Sequence, residues 1–306
     1  MDSHYPFFVV KRRTRAKCPT IIQSCVITFQ FYRYRFHFRA QNCLSFPPGT
    51  PGNVIRSVFG AALYRRAPDT FRDLFDAGAA RPSTASGLAD PPRPFVLRAS
   101  ELDGRTFHPG DSFSFDTHVF ALQEDFLPKF RLALRELQVG HGLAELDHID
   151  QLDLDDRPQP GAPPCTVVLD GHEHRLHVKL RFITPTELKS GGELLREPDF
   201  DALFKRLRDR LSALSELYGA GPLEIDFHIL GSHAEAVRLI HSNLRWESPE
   251  RRSARTGQVH PIGGFTGKAE YAGDFLGEFM PWLRAARWVG VGRQTVWGKG
   301  DVRVVE

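Results

Sequence analysis

Cysteine is scarce in this chain of 306 residues: Cys18, Cys25, Cys43 and Cys165 are the only four, and no Cys-x-x-Cys spacing occurs. With no secretory segment to accompany them, they point to a reduced, cytoplasmic setting rather than a disulfide framework. Long apolar runs are also missing. None approaches the roughly 20 residues of a membrane span, and the basic stretch near the start leads into no signal-type apolar segment, so no membrane role is expected. Nor is there a surplus of charge. The 40 Lys and Arg are set against 37 Asp and Glu, a formal net charge of +3, and composition alone does not argue for a polyanionic partner. A Gly-x-Ser-x-Gly elbow is absent, which leaves a serine hydrolase unsupported.

Glycine, in contrast, is concentrated near the end, in Gly290-Val-Gly-Arg-Gln-Thr-Val-Trp-Gly-Lys-Gly300. Glycines at this density let backbone pass close to a ligand, and the basic and aromatic residues between them suit a phosphate and a stacked base, which points toward RNA. Gly298-Lys299-Gly300 is not followed by Ser or Thr, so it is no P-loop. The order around it is helix, loop, strand, the reverse of a dinucleotide fingerprint. A plain turn joining a helix to an edge strand stays open as the simpler reading.

The distribution of charge says more than its sum. Arg and Lys gather at 11–17, 33–39, 205–210, 245–255 and 284–303, and the last two groups flank the glycine loop in sequence. Residues 1–25 lack periodicity and read as a disordered or overlong tail. From Val26 to Arg39 the series Phe29, Phe31, Tyr34, Phe36 and Phe38 marks a strand, with Arg33, Arg35, His37 and Arg39 interleaved. Helices are expected over Asn53–Arg66, with Val54, Val58, Ala61, Ala62 and Arg65 at helical spacing, and over Phe126–Leu137. Strands are expected at Phe95–Leu97, Ser112–Ala121 and Leu143–Leu154.

After a Pro- and Gly-rich break at Asp155–Pro164 the pattern starts again. Strands are expected at Thr166–Leu169, Arg175–Ile183, Leu223–Leu230, Arg238–Trp246, Gly267–Tyr271 and Val302–Val305. Two helices complete the half: Phe200–Tyr218, striped by Leu203, Leu207, Leu211, Leu214 and Leu217, and Phe275–Trp288, with Phe275, Phe279, Leu283 and Ala286 on one face. The fold class is therefore α+β: two tandem ferredoxin-like (RRM-like) domains, residues 26–155 and 165–306, with a C-terminal glycine-rich loop.

Five segments, in order, carry a family likeness: Phe46-Pro-Pro-Gly with Val54-Ile-Arg-Ser-Val-Phe-Gly-Ala-Ala-Leu; Pro91-Pro-Arg-Pro-Phe-Val-Leu; Phe182-Ile-Thr-Pro-Thr-Glu-Leu-Lys; Gly263-Gly-Phe-Thr-Gly-Lys-Ala-Glu-Tyr; and the Gly290–Gly300 loop. Over roughly residues 28 to 306 the chain resembles the repeat-associated mysterious protein (RAMP) superfamily, within it the CRISPR-associated endoribonucleases that cut precursor CRISPR RNA. The resemblance implies repeat RNA bound across or between two ferredoxin-like domains. It also implies metal-independent cleavage by ribose 2′-OH attack, leaving a cyclic phosphate and a 5′-OH. CRISPR repeat RNA and other Cas proteins of an effector complex are the implied partners, and no cofactor is implied. A non-catalytic RAMP subunit that binds RNA, and a ferredoxin-like module unrelated to nucleic acid, are the alternatives.

Such cleavage needs a base, an acid and cations to stabilise a phosphorane. The resemblance directs attention to a histidine near the first helix, yet residues 41 to 66 hold none. His260 is the first candidate for catalysis, on a loop after Arg251-Arg-Ser-Ala-Arg, with Arg252 and Arg255 to hold phosphate. His37, between Arg35 and Arg39, is the second. Arg56, Tyr64 and Arg65 are possible assistants. In the loop, Gly290, Gly292, Gly298 and Gly300 are expected to pass near RNA. Arg293 and Lys299 are expected on phosphate, and Trp297 either under a base or anchoring the loop in the core. His172, His174 and His177 read as an exposed hairpin, and no metal site is expected.

Overall fold

The structure, a computed structural model, describes residues 26–76, 91–247, 250–252, 259–261 and 263–305. The expected tail over 1–25, Arg255 and most of the loop over 77–94 lie outside these residues. No helix among the described residues is long and apolar enough to cross a membrane.

Strand β1 (Thr28–Ala40) organises the whole molecule. Neighbouring residues of a strand face opposite sides, so Phe29 and Phe31 cannot share a face with Tyr34, Phe36 and Phe38. The first pair is buried in the core of the second half of the chain, and the other three in the core of the first. One strand thus feeds both domains. Its end at residues 28–31 pairs with β6 (Cys165–Val168), while residues 32–40 pair with the first-domain strands named next.

In the first half β1 leads into α1 (Pro51–Arg66), β2 (Phe95–Arg98), β3 (Ser112–Val119), α2 (Leu127–Ala133), β4 (Glu136–Val139) and β5 (Gly142–Gln151). The antiparallel sheet runs β2-β3-β1-β5-β4, the ferredoxin-like order with one extra edge strand. Helices α1 and α2 cover its Tyr34/Phe36/Phe38 face, where Phe36 meets Phe59 and Phe130. Two sequence expectations are corrected. The buried side of α1 is Ile55, Phe59, Ala62 and Leu63, whereas Ala61 and Arg65 are exposed, because aromatic packing decided which stripe faces the sheet. Helix α2 ends at Ala133 rather than Leu137, since Leu137 and Val139 alternate into the core as an edge strand against β5.

The second half is built from β7 (His177–Thr186), α3 (Phe200–Tyr218), α4 (Phe227–Glu235) and β8 (Arg238–Glu247). The hairpin β9 (Glu250–Arg252) and β10 (Val259–Pro261), then β11 (Gly264–Ala272), α5 (Leu276–Val289) and β12 (Val302–Val305), complete it. Its antiparallel sheet runs β8-β11-β7-β12, again the ferredoxin-like order. All five leucines of the α3 stripe are buried. Of the strand expected over Leu223–Leu230, residues 223–226 form no regular element and the rest opens α4. The Asp226 side chain accepts bonds from the backbone N–H groups of His228 and Ile229, each 2.9 Å, and Leu230 and Ala234 turn inward at helical spacing. Phe275 is not on the buried side of α5; it lies exposed before the helix, stacked on His233.

Candidate nucleic-acid interface

Helices cover one face of each sheet. The other faces carry the polar residues of the same strands; on the first sheet Arg35 and Arg39 stand opposite Asp116, Asp150 and Glu145, whereas the second sheet's face is strongly basic. On the second sheet, Asn243, Lys268, Arg181 and Arg303 stand opposite one another across all four strands. Arg181, Lys268 and Arg303 are exposed. Like charges placed directly opposite on a sheet repel. Among the described residues only Arg303 of this row has an acid close by, its guanidinium reaching Asp301 at 2.9 Å. Arg181, Lys268, Asn243 and Arg245 also line a cavity of about 380 Å³ on this face.

Arg303 belongs in addition to a second cavity, of about 340 Å³, between the domains. Five arginines line it, Arg33, Arg35, Arg98, Arg287 and Arg303, against three carboxylates, Glu101, Asp116 and Asp156. Arg33 follows Phe29 and Phe31 on the inward parity of β1 and is 2% exposed, its guanidinium 4.5 Å from the centre of the Trp288 ring. Arg287 lies 4.1 Å from the same ring. Arg35 makes a two-pronged bond to Asp116, at 2.7 and 2.9 Å. Arg98 donates to the carbonyl of Arg287, while its Nη1 is shut off from solvent with no partner. Burial, then repulsion from Arg303 and Arg33, lowers the pKa of Arg287. Burial alone would raise the Asp156 carboxyl, but its bond to Arg33 and the Arg33 and Arg35 charges hold it below the usual range. His118 is buried and donates from Nδ1 to the Trp288 carbonyl; desolvation, then Arg98 and Arg33, keeps it neutral. The cavity is thus an excess of crowded cations with room for an anion.

His37 lies next to this cavity, in a smaller pocket that shares Glu101 and Ser114 with it. Its Nε2 is 3.1 Å from Asp150 Oδ2, and its ring stacks on His148 with centres 4.1 Å apart. Burial, then the His148 charge, lowers its pKa, outweighing Asp150. His260 lies on the β9–β10 hairpin opposite Arg251, and Arg252 opposite Val259. The sequence reading named His37 as a candidate but not the groups around it, and it did not single out Arg33, Arg98, Arg181, Lys268, Arg287 or Arg303 for a site. The alternation Val178-Lys-Leu-Arg-Phe182 was the available signal for an open basic face.

The glycine loop turns inward. Gly290, Gly292, Gly298 and Gly300 all have positive φ, and an added Cβ on Gly292 or Gly300 would strike the carbonyl of Glu187 or Val291. Gly298 approaches Gly52 of α1, so the loop clamps one domain to the other. Trp297 is half-buried, 5.5 Å from the Arg56 guanidinium. Lys299, expected on phosphate, is 4% exposed and donates to the Gly263 carbonyl at 2.6 Å and Gln294 Oε1 at 2.9 Å. Its pKa is pushed down to about 8, by burial first. Arg293 is more than half exposed and ion-paired to Glu187 at 2.6 Å.

Comparison with known proteins shows what this geometry is similar to. Residues 180–302 match the model of the CRISPR-associated endoribonuclease Cas6. Residues 29–178 match a second model, described as an N-terminal domain. No curated protein matches. Among solved structures the chain is similar to Thermus thermophilus Cas6, at 18% identity over 92% of this chain and 100% of that one, with a TM-score of 0.56. A Cas6 product complex gives 0.58 at the same identity and coverage. A partial Cas6-RT-Cas1–Cas2 complex gives 0.59 at 12% identity, over 92% of this chain and 47% of that one. At such identities these likenesses establish the fold, two tandem ferredoxin-like domains, and Cas6 as a family is one of endoribonucleases.

Proposed function

We propose that this protein cuts CRISPR repeat RNA out of precursor transcripts, with the strand laid along the two open sheet faces. The observation that carries the reading is the row Asn243–Lys268–Arg181–Arg303 and its continuation through Arg303 into the arginine cavity beside His37. A polyanion over that row offsets the repulsion within it, and counterion release drives binding. The solved relatives whose names mention a product complex and a Cas1–Cas2 assembly support RNA and other Cas proteins as partners.

The cleavage we assign is metal-independent. The ribose 2′-OH attacks the adjacent phosphorus, the bond from phosphorus to the 5′ oxygen breaks, and a 2′,3′-cyclic phosphate and a 5′-OH result. His37 accepts the 2′-OH proton: Asp150 accepts from Nε2–H and so holds the tautomer whose Nδ1 carries a lone pair. The cavity arginines stabilise the charge on the phosphorane. His260, with Arg252 and Arg255 near it in the sequence, is the candidate for protonating the leaving oxygen. Arg293 is available at the rim of the glycine loop, and Trp297 serves as its anchor.

The test is incubation with RNA carrying a CRISPR repeat, in EDTA, with the product ends mapped. One cut leaving a cyclic phosphate supports the reading in full. Tight binding without cutting assigns the chain instead to non-catalytic RNA-binding subunits, and no binding overturns both.

A further inference from the structure

We propose that His37, His148 and Asp150 form a binding site for a divalent transition-metal ion of the zinc class. Their ligand atoms all lie within 4.8 Å of one another. Asp150 Oδ2 is 3.1 Å from His37 Nε2 and 3.6 Å from His148 Nε2. Four ligands at zinc's usual bond lengths of 2.0–2.1 Å stand about 3.3 Å apart at the corners of a tetrahedron. The two distances bracket that edge, so an ion can enter with small rotations of the rings.

The sheet is shaped for this. His37 and His148 are direct partners in the β1–β5 ladder, and Asp150 follows two residues on, across from Arg35. A bulge lies beside them: His148 pairs with His37 and Leu146 with Phe38, which leaves Asp147 as the extra residue. Asp147 then reaches back and accepts from His148 Nδ1 at 3.2 Å. A carboxylate on the far ring nitrogen is the arrangement that presents Nε2 as a metal ligand and makes it more basic. The charged neighbours do not oppose an ion strongly. Arg35 is neutralised by Asp116, Arg105 shares the pocket lining with the opposite charge of Glu101, and the opposing strand contributes Ser112 and Ser114. Two imidazoles and one carboxylate suit Zn²⁺, Co²⁺ or Ni²⁺ and are poor ligands for Mg²⁺ or Ca²⁺. The half-buried, half-exposed setting leaves the fourth position to water.

The site stands whether or not the protein cuts RNA; one consequence rests on the nuclease reading. A metal on His37 Nε2 displaces the ring proton to Nδ1, the atom that was to act as base. The ion therefore holds the enzyme off rather than serving it.

The experiment is titration of EDTA-treated, desalted full-length protein with Co²⁺, read by its visible absorption, followed by displacement with Zn²⁺. One equivalent with an absorption band of four- or five-coordinate Co²⁺, lost on adding Zn²⁺, is the expected result. His148→Ala, at a half-exposed position, should abolish the band, and Asp147→Asn should weaken affinity by 10- to 100-fold. Absence of the band in the unmodified protein, or equal bands in it and in His148→Ala, overturns the proposal. Because no RNA enters the titration, its outcome is independent of the cleavage assay. In that assay Zn²⁺ should inhibit the unmodified protein.

Discussion

Arg33 and Trp288, from opposite ends of the chain, meet with the guanidinium 4.5 Å from the ring centre, in the wall of the cavity between the two domains. Trp288 also touches the rings of Phe31 and His118 and gives its carbonyl to the latter. Trp288→Ala should therefore cost about 3–5 kcal/mol, the usual range for an emptied aromatic site, in chemical denaturation. RNA affinity should fall as well, because Arg33 and Arg287 lose the surface that orients them. Unchanged stability would show that the two domains do not depend on this contact.

The basic row on the second sheet makes two opposite predictions at once. Arg181→Ala with Lys268→Ala should weaken RNA binding alike for all sequences and lower the salt slope by roughly 1.4, two phosphate contacts at about 0.7 each on single-stranded RNA. Stability should hold or rise slightly, since the pair repel across the ladder. An unchanged salt slope would remove this face from the interface.

His37→Ala should slow cutting by roughly 10²–10⁴, the contribution of a general base, while binding of uncut RNA stays within a few-fold. Asp150→Asn should lower the rate by less, because the amide can still accept from Nε2–H without the charge. His260→Ala, measured beside them, distinguishes the acid from the base: loss restored by a substrate with a better leaving group marks the acid.

Much of this was legible in the sequence, and the rest was hidden for physical reasons. Period-two and 3.6-residue patterns located the first βαββαβ unit and most of the second, because burial on one face fixes them; the strand expected over Leu223–Leu230 was the exception. The parity change between Phe31 and Tyr34 stood in the sequence too, but without the two cores it read only as one strand. What could not be read were groupings that only the sheet order creates. His37 and His148 are 111 residues apart in numbering, and Arg181, Lys268 and Arg303 become neighbours only through strand pairing. The glycine loop misled in a particular way. Its glycines are needed for close backbone approach, as expected, but what approaches is Gly52, Glu187 and Val291 of the protein itself.

Lys299 carries the last prediction. Its ammonium is enclosed by Gly263, Gln294 and Glu187, and its pKa falls from 10.5 to about 8 on folding. Below about pH 8 it is charged in both states and the burial penalty is present in full. Between about 8 and 10.5 the unfolded chain binds more protons than the folded one, so stability should rise with pH, by on the order of 3 kcal/mol across the window. Lys299→Met removes the titration, and the stability difference between the two proteins should shift in favour of the unmodified one as pH climbs from 7.5 to 10. At neutral pH the variant leaves the Gly263 carbonyl and Glu187 without the ammonium, yet its RNA salt slope should match that of the unmodified protein. A slope lowered by Lys299→Met would mean that the ammonium reaches phosphate after all.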